Sequence, residues 1–250
     1  MLELIAKIKS GSHLYGLETE SSDLDYYSIG LNTELENIIG LGKEEYEISK
    51  TESNDSQTFE LRRFFQFCRK STTQAYELLH LPPQNFIYLN PLFEKLVLDK
   101  KENFIDSKNL FKCIMGYSQS ERRIMTGEAI GRLGEKRKKQ VEEFGYCFKN
   151  ACNLLRILKC GIVFYKTGVY PTTFKKIDPQ FHDFLFDIKT RPEIGRGKEL
   201  LKISCELEAE LKSIFDGRDK SKDLSFNNEY VSKVILSFYA PKIILEYTKI

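Results

Sequence analysis

The chain has 250 residues, of which 41% are hydrophobic and 30% charged, with a formal net charge of +2. These are values of an ordinary globular protein, large enough to bury one or two cores. No run of eighteen apolar residues occurs, which excludes a membrane-spanning helix.

The first segment, MLELIAKIKSGS, mixes acid and base among short apolar stretches and lacks the core of a signal peptide, so a cytoplasmic protein is expected. Cys68, Cys113, Cys147, Cys152, Cys160 and Cys205 form no C-x-x-C pair. Reduced thiols, mostly buried, are expected in place of disulfides or zinc ligands. His13, His80 and His182 are scattered, which leaves little for a histidine-based metal site or a catalytic triad. Lys136, Arg137, Lys138 and Lys139 form a basic run, followed later by Lys175, Lys176, Arg191, Arg196 and Lys198. Such runs suit either a solvated face or a nucleic-acid contact.

In chain order, Leu2 to Ile8 reads as a strand, ended by Ser10-Gly11-Ser12. Leu24 to Leu31 is a second strand, introduced by Ser21 and Ser22. Tyr46 to Ile48 and Ser56 to Phe59 are weaker strands, with the polar segment Ser49 to Asp55 read as a loop between them. From Glu60 the period becomes helical, with Leu61, Phe64, Phe65 and Cys68, then Tyr76, Leu78 and Leu79. Pro82-Pro83 marks a break, and Pro91 opens another short helical stretch. Leu110, Ile114, Tyr117 and Ile124 continue on a long helix. Val141 to Val163 reads as one helix with a buried stripe of Val141, Phe144, Phe148, Ala151, Leu155 and Leu158. Lys198 to Phe215 is another helix, and Glu229–Tyr239 and Pro241–Tyr247 form two helical pieces separated by Pro241. The resulting class is α+β, with mixed structure in front and helices behind.

The chemistry concentrates in Gly11-Ser12-His13-Leu14-Tyr15-Gly16 and Ser22-Asp23-Leu24-Asp25. Asp23 and Asp25 are two apart, so on a strand both carboxylates leave one face. Adjacent carboxylates repel and favour a bound cation. Mg²⁺ prefers carboxylate and phosphate oxygens, so the pair suits a metal–nucleotide site. Gly11 permits close backbone approach, and free N–H groups at a helix start attract phosphate. The Ser12 hydroxyl adds a donor. A surface hairpin bearing two acids is the structural alternative. Lys149, Asn153 and Arg156 lie at i, i+4 and i+7 and form one polar stripe of the long helix. That stripe suits either a solvated face or a contact with the triphosphate or the acceptor.

The run G-S-H-L-Y-G-L-E-T-E-S-S-D-L-D resembles the signature G-S-x-x-Y-G-x-x-T-x-x-S-D-x-D of the RlaP or YcgL-like nucleotidyltransferases, in the DNA polymerase beta-type superfamily. Tyr15, Gly16, Thr19 and Ser22 fit the signature as well as the acids do. Leu61-Arg62-Arg63-Phe64 through Glu77-Leu78-Leu79 resembles the family's L-[RK]-K-F…E-L-L segment, with Lys70-Ser71-Thr72-Thr73 in place of K-G-N-P. Gly145 to Arg156 resembles its G-Y-x-x-K-x-A-x-H-x-x-R helix, with Asn153 in place of the histidine. Tyr170-Pro171 resembles the turn that follows it.

The resemblance implies a small mixed-sheet nucleotidyltransferase palm at the N-terminus, residues 1–100, followed by a helical domain, residues 101–250, that completes the nucleotide and acceptor cleft. It implies transfer of a nucleoside monophosphate from an NTP to a hydroxyl acceptor on RNA, protein or a small molecule, with Mg²⁺ as a pair of ions and release of pyrophosphate. Asp23, Asp25 and a third carboxylate are the implied catalytic and metal-binding residues. Asp55, before the Ser56–Phe59 strand, is preferred for the third over Glu60, which also fits the first turn of a helix. Gly11, Ser12, Tyr15, Lys149, Asn153 and Arg156 are the implied nucleotide-binding residues. No membrane partner is expected. A different class, a catalytically inactive nucleotide-binding regulator of the toxin–antitoxin or phage–host kind, is disfavoured because Gly11, Ser12, Asp23 and Asp25 are intact.

Overall fold

The computed structural model describes residues 2–34, 46–51, 54–129 and 134–247, with backbone alone at 46–51, 54–55 and 246–247. It divides into two compact units, Met1–Ser107 with Asp223–Ile250, and Lys108–Lys222. The boundary differs from the expected 1–100 and 101–250, because residues beyond 222 return to the first unit.

In the first unit, β1 (Leu2–Lys9) leads through α1 (Gly11–Tyr15) to β2 (Tyr26–Asn32). β3 (Tyr46–Thr51) and β4 (Asn54–Glu60) follow, and β5 (Phe86–Leu89) completes a mixed sheet of order β3-β4-β2-β1-β5. β2 runs parallel to β4, and the other neighbours are antiparallel. The segment expected as a loop, Ser49 to Asp55, instead carries ladder pairs out to Thr51↔Asn54, with residues 52 and 53 outside the described residues. Cross-strand pairing extends both strands past the apolar core of their sequence. Gly30 admits β1, since a Cβ there would meet the Leu2 Cβ at 2.6 Å.

Helix α2 (Leu61–Arg69) packs on β2 and β4 and buries Leu61, Phe64, Phe65 and Cys68, the stripe read from its periodicity. α3 (Thr73–Leu79) buries Tyr76, Glu77, Leu78 and Leu79. The Tyr76 hydroxyl accepts the Asp106 N–H at 2.8 Å and donates to its carbonyl at 3.1 Å. The last helix belongs here for specific reasons. Ser107 and Leu224 exchange hydrogen bonds at 3.0 and 3.1 Å, Asn227 N–H donates to Asn103, and the Tyr230 hydroxyl reaches the Leu96 carbonyl at 3.0 Å.

The second unit is helical: α4 (Ser107–Met125), α5 (Glu135–Phe144), α6 (Phe148–Thr167), α7 (Pro179–Thr190) and α8 (Gly197–Gly217). The helix expected over Val141–Val163 is two. Gly145 adopts φ +80° and caps α5 through its N–H to Val141, so the chain turns before α6 begins. α7 was absent from the periodicity reading. Asp178 caps it, accepting the Phe181 N–H at 3.1 Å, and Pro179 occupies its first position. At the crossing of α6 with α4 and α8, a Cβ on Gly161 would meet Ile114 at 2.8 Å and Leu211 at 3.2 Å.

In the first unit, α9 (Asn228–Tyr247) runs unbroken through Pro241, where two pieces were expected. Proline removes only one intrahelical donor, and buried Val231, Val234, Phe238 and Tyr239 anchor the turns before it. The six cysteines are free thiols, and four are buried. No helix among the described residues is long and apolar enough to cross a membrane.

Candidate functional site

The turn after β1 is shaped by one glycine. Gly11 has φ +60°, a left-handed conformation costly for residues with a Cβ, and a Cβ there would lie 2.8 Å from Asp25 Oδ2. The Asp25 carboxylate therefore rests against the backbone that begins α1. The Ser10 N–H donates to the Asp25 carbonyl at 2.8 Å and ties the two segments together.

The rest of the signature has equally local roles. Gly16 caps α1 with φ 70° and donates its N–H to Ser12, as does Leu17 at 2.9 Å. Thr19 and Ser22 close a turn on each other. The Thr19 N–H donates to Ser22 Oγ at 2.9 Å, and the Ser22 N–H to the Thr19 carbonyl at 2.9 Å. This turn delivers Asp23 and Asp25. Both acids precede β2, which starts at Tyr26 and not at the expected Leu24. Alternation along a strand therefore does not orient them; Gly11 sets the place of Asp25.

An open cleft of about 250 Å³ adjoins this turn. Ser10, Gly11 and Asp25 line it together. Ile8, Leu14, Tyr26 and Tyr27 supply aliphatic and aromatic wall, and Tyr15, Gln57, Gln74 and Glu77 supply polar groups. The Tyr15 hydroxyl donates to Glu77 Oε2 at 3.3 Å, joining α1 to α3. Burial pushes the Tyr27 phenol well above its ordinary pKa, with lesser contributions from Cys68 and Glu77 beside it. Tyr27 is thus a neutral wall of the cleft. Ser12 is half-buried one residue beyond Gly11, and Asp23 is exposed two residues before Asp25.

The two candidates for a third carboxylate separate. Glu60 is 4% exposed and caps α2, accepting the Arg62 N–H at 2.9 Å and its Nε at 3.2 Å. Burial raises its pKa against the opposing pull of Arg62. Its work is to start a helix. Asp55 lies one residue before Ser56, which pairs with Tyr26 across the parallel β2–β4 ladder, so the Asp25 and Asp55 positions each immediately precede a paired residue. The Asp55 side chain is outside the described residues. Among the described residues, no three His, Cys, Asp or Glu side chains gather as a metal site.

Lys149, Asn153 and Arg156 all lie on α6, in the second unit. Lys149 is exposed, Asn153 half-buried and Arg156 buried, so the stripe descends from solvent into the interior. Arg156 donates to Asn153 Oδ1 at 3.2 Å. Beside them, buried Asn150 donates to Glu121 Oε2 at 2.7 Å and accepts from the Cys147 thiol at 2.9 Å. Burial chiefly, then the Glu121 charge, raises the pKa of Tyr117, which also shares hydrogen bonds with Asn153 and Glu121.

Gln57, Gln74 and Glu77 were not among the expected site residues. Glu77 stands in the E-L-L segment, so the sequence carried a signal for it. Its pairing with Tyr15 needs the folded chain.

In an alignment 131 positions long that covers 48% of this chain, it is 27% identical to the uncharacterized 38.9 kDa protein in the nrdC–mobD intergenic region of Enterobacteria phage T4. The match spans 38% of that phage protein, so this chain corresponds to less than half of it. Among solved structures it is similar to a nucleotidyltransferase-like protein from Exiguobacterium sibiricum 255-15, at 12% identity and a TM-score of 0.35, covering 93% of this chain and 73% of that one. The model of the RNA repair pathway DNA polymerase beta family, RlaP, matches residues 2–232, from β1 through the cleft and α6 into α9, and the chain belongs to that family.

Proposed function

We propose that the protein transfers a nucleoside monophosphate from an NTP to a hydroxyl group of RNA and releases pyrophosphate. The acceptor oxygen attacks the α-phosphorus. The bond from that phosphorus to the α,β-bridging oxygen breaks, and pyrophosphate leaves with the electron pair. The observation that carries this reading is the contact between Gly11 and Asp25. The backbone that begins α1 and a carboxylate able to hold a cation line one cleft together. RNA as the acceptor class follows the family's description.

In this reading Gly11 and Ser12 hold phosphate oxygens through backbone N–H and hydroxyl donors. Tyr15 fixes α1 through Glu77. Asp55 takes the proton of the attacking hydroxyl. Asp23, Asp25 and Asp55 are the residues that would hold Mg²⁺, since hard carboxylate oxygens suit that ion. When bound, a pair of such ions activates the acceptor oxygen and stabilises the leaving pyrophosphate.

Calorimetric titration of the four NTPs with Mg²⁺ tests the reading, on wild type and on Asp23→Ala/Asp25→Ala. Metal-dependent binding that vanishes in the double variant supports it. A folded wild type that binds none of the four overturns it.

A further inference from the structure

The cleft has a polar group that phosphate binding does not use. Glu77 is 3% exposed and lines the same cleft as Asp25. A buried carboxylate repels phosphate and accepts hydrogen bonds only, so a ligand group beside it must be a donor. Tyr15 donates to one of its oxygens from α1, the helix that begins at the Gly11 turn, which fixes the carboxylate relative to that turn. A carboxylate accepts several hydrogen bonds, that of the Tyr15 phenol among them. Gln74 lies three residues earlier on α3, on the same helix face, and also lines the cleft. A carboxylate and an amide side by side match a vicinal diol, whose hydroxyls both donate and accept.

We infer that Glu77 and Gln74 form the sugar subsite of the cleft and read the ribose hydroxyls of the bound nucleotide, making the site selective for ribonucleotides. The inference rests on the nucleotide reading above. Its physical basis is asymmetric: a site built to bond a hydroxyl loses strongly when the hydroxyl is missing, because its own buried polar groups are left unpaired. Glu77 is a specificity-determining residue in this arrangement, and Tyr15 is its positioning residue.

The test is Mg²⁺-dependent binding of each ribonucleoside triphosphate and its 2′-deoxy and 3′-deoxy counterparts, measured by calorimetry on wild type, Glu77→Gln, Gln74→Ala and Asp25→Ala. Glutamine at 77 still accepts the Tyr15 phenol and keeps the side-chain shape. Gln74 is exposed, so its truncation leaves the fold intact. Wild type is expected to favour the ribonucleotide by roughly 10- to 100-fold. Glu77→Gln is expected to bring that ratio within about threefold by weakening the ribonucleotide alone, and Gln74→Ala to lower it partway. Discrimination that survives both substitutions overturns the inference while the nucleotide site stands. Equal loss of ribo- and deoxynucleotide affinity, or a raised Mg²⁺ requirement, in Glu77→Gln overturns it too, by assigning Glu77 to the fold or to the metal. If Asp25→Ala leaves binding untouched, the nucleotide reading itself fails and takes the sugar subsite with it.

Discussion

The two polar regions of this protein handle buried charge in opposite ways. In the first unit, Asp25 and Glu77 face a cleft, and backbone geometry at Gly11 and a phenol from Tyr15 hold them there. In the second unit, Glu121, Asn150 and Arg156 are enclosed at 5%, 3% and 3% exposure; Asn150 bonds Glu121, and Arg156 bonds Asn153. Polar groups that face a cleft are available to a ligand. Polar groups that satisfy one another hold a fold together. The contrast locates chemistry in the first unit and gives the α6 stripe a structural share that spacing alone did not reveal.

The sharpest way to break the comparison is Gly11→Ala. The added methyl would meet Asp25 Oδ2 at 2.8 Å on a backbone of φ +60°, so Asp25 must move. Mg²⁺-dependent NTP affinity is expected to fall by roughly 100-fold or more, with about 1–2 kcal/mol of stability lost to backbone strain. Unchanged affinity in the calorimeter would detach Gly11 and Asp25 from the nucleotide.

Asn150→Ala tests the other side. It leaves the Glu121 carboxylate buried without its amide donor and the Cys147 thiol without an acceptor on α6. A loss of about 2–4 kcal/mol is expected in denaturant unfolding. A change below about 0.5 kcal/mol would show that the network is not what stabilises the second unit.

The smallest effect belongs to Lys149→Ala. This side chain is exposed, so stability should be unchanged within about 0.5 kcal/mol. A larger loss in denaturant unfolding would show that the side chain takes part in folding the second unit.

The sequence by itself determined what short-range physics controls. Periodicity located α2, α3, α4 and α8, and the Gly-Ser turn with its two acids was legible because glycine, serine and aspartate at those spacings have few other uses together. The signature residues turned out to have local jobs: Gly16 caps, Thr19 and Ser22 close a turn, and Glu60 starts a helix where it had competed as a catalytic acid.

What only the tertiary structure decided depends on partners far along the chain. β5 exists because β1 offers it an edge, and Phe86–Leu89 is too short to announce itself. Residues beyond 222 join the first unit through bonds to Asn103, Ser107 and Leu96, more than a hundred positions away. Glu77 became part of the cleft through Tyr15, 62 residues earlier. Local pattern reports how a segment prefers to bend and which face it hides. Which distant group meets that face is settled only when the chain closes, since the entropy of closing such loops is regained only from contacts made at the end.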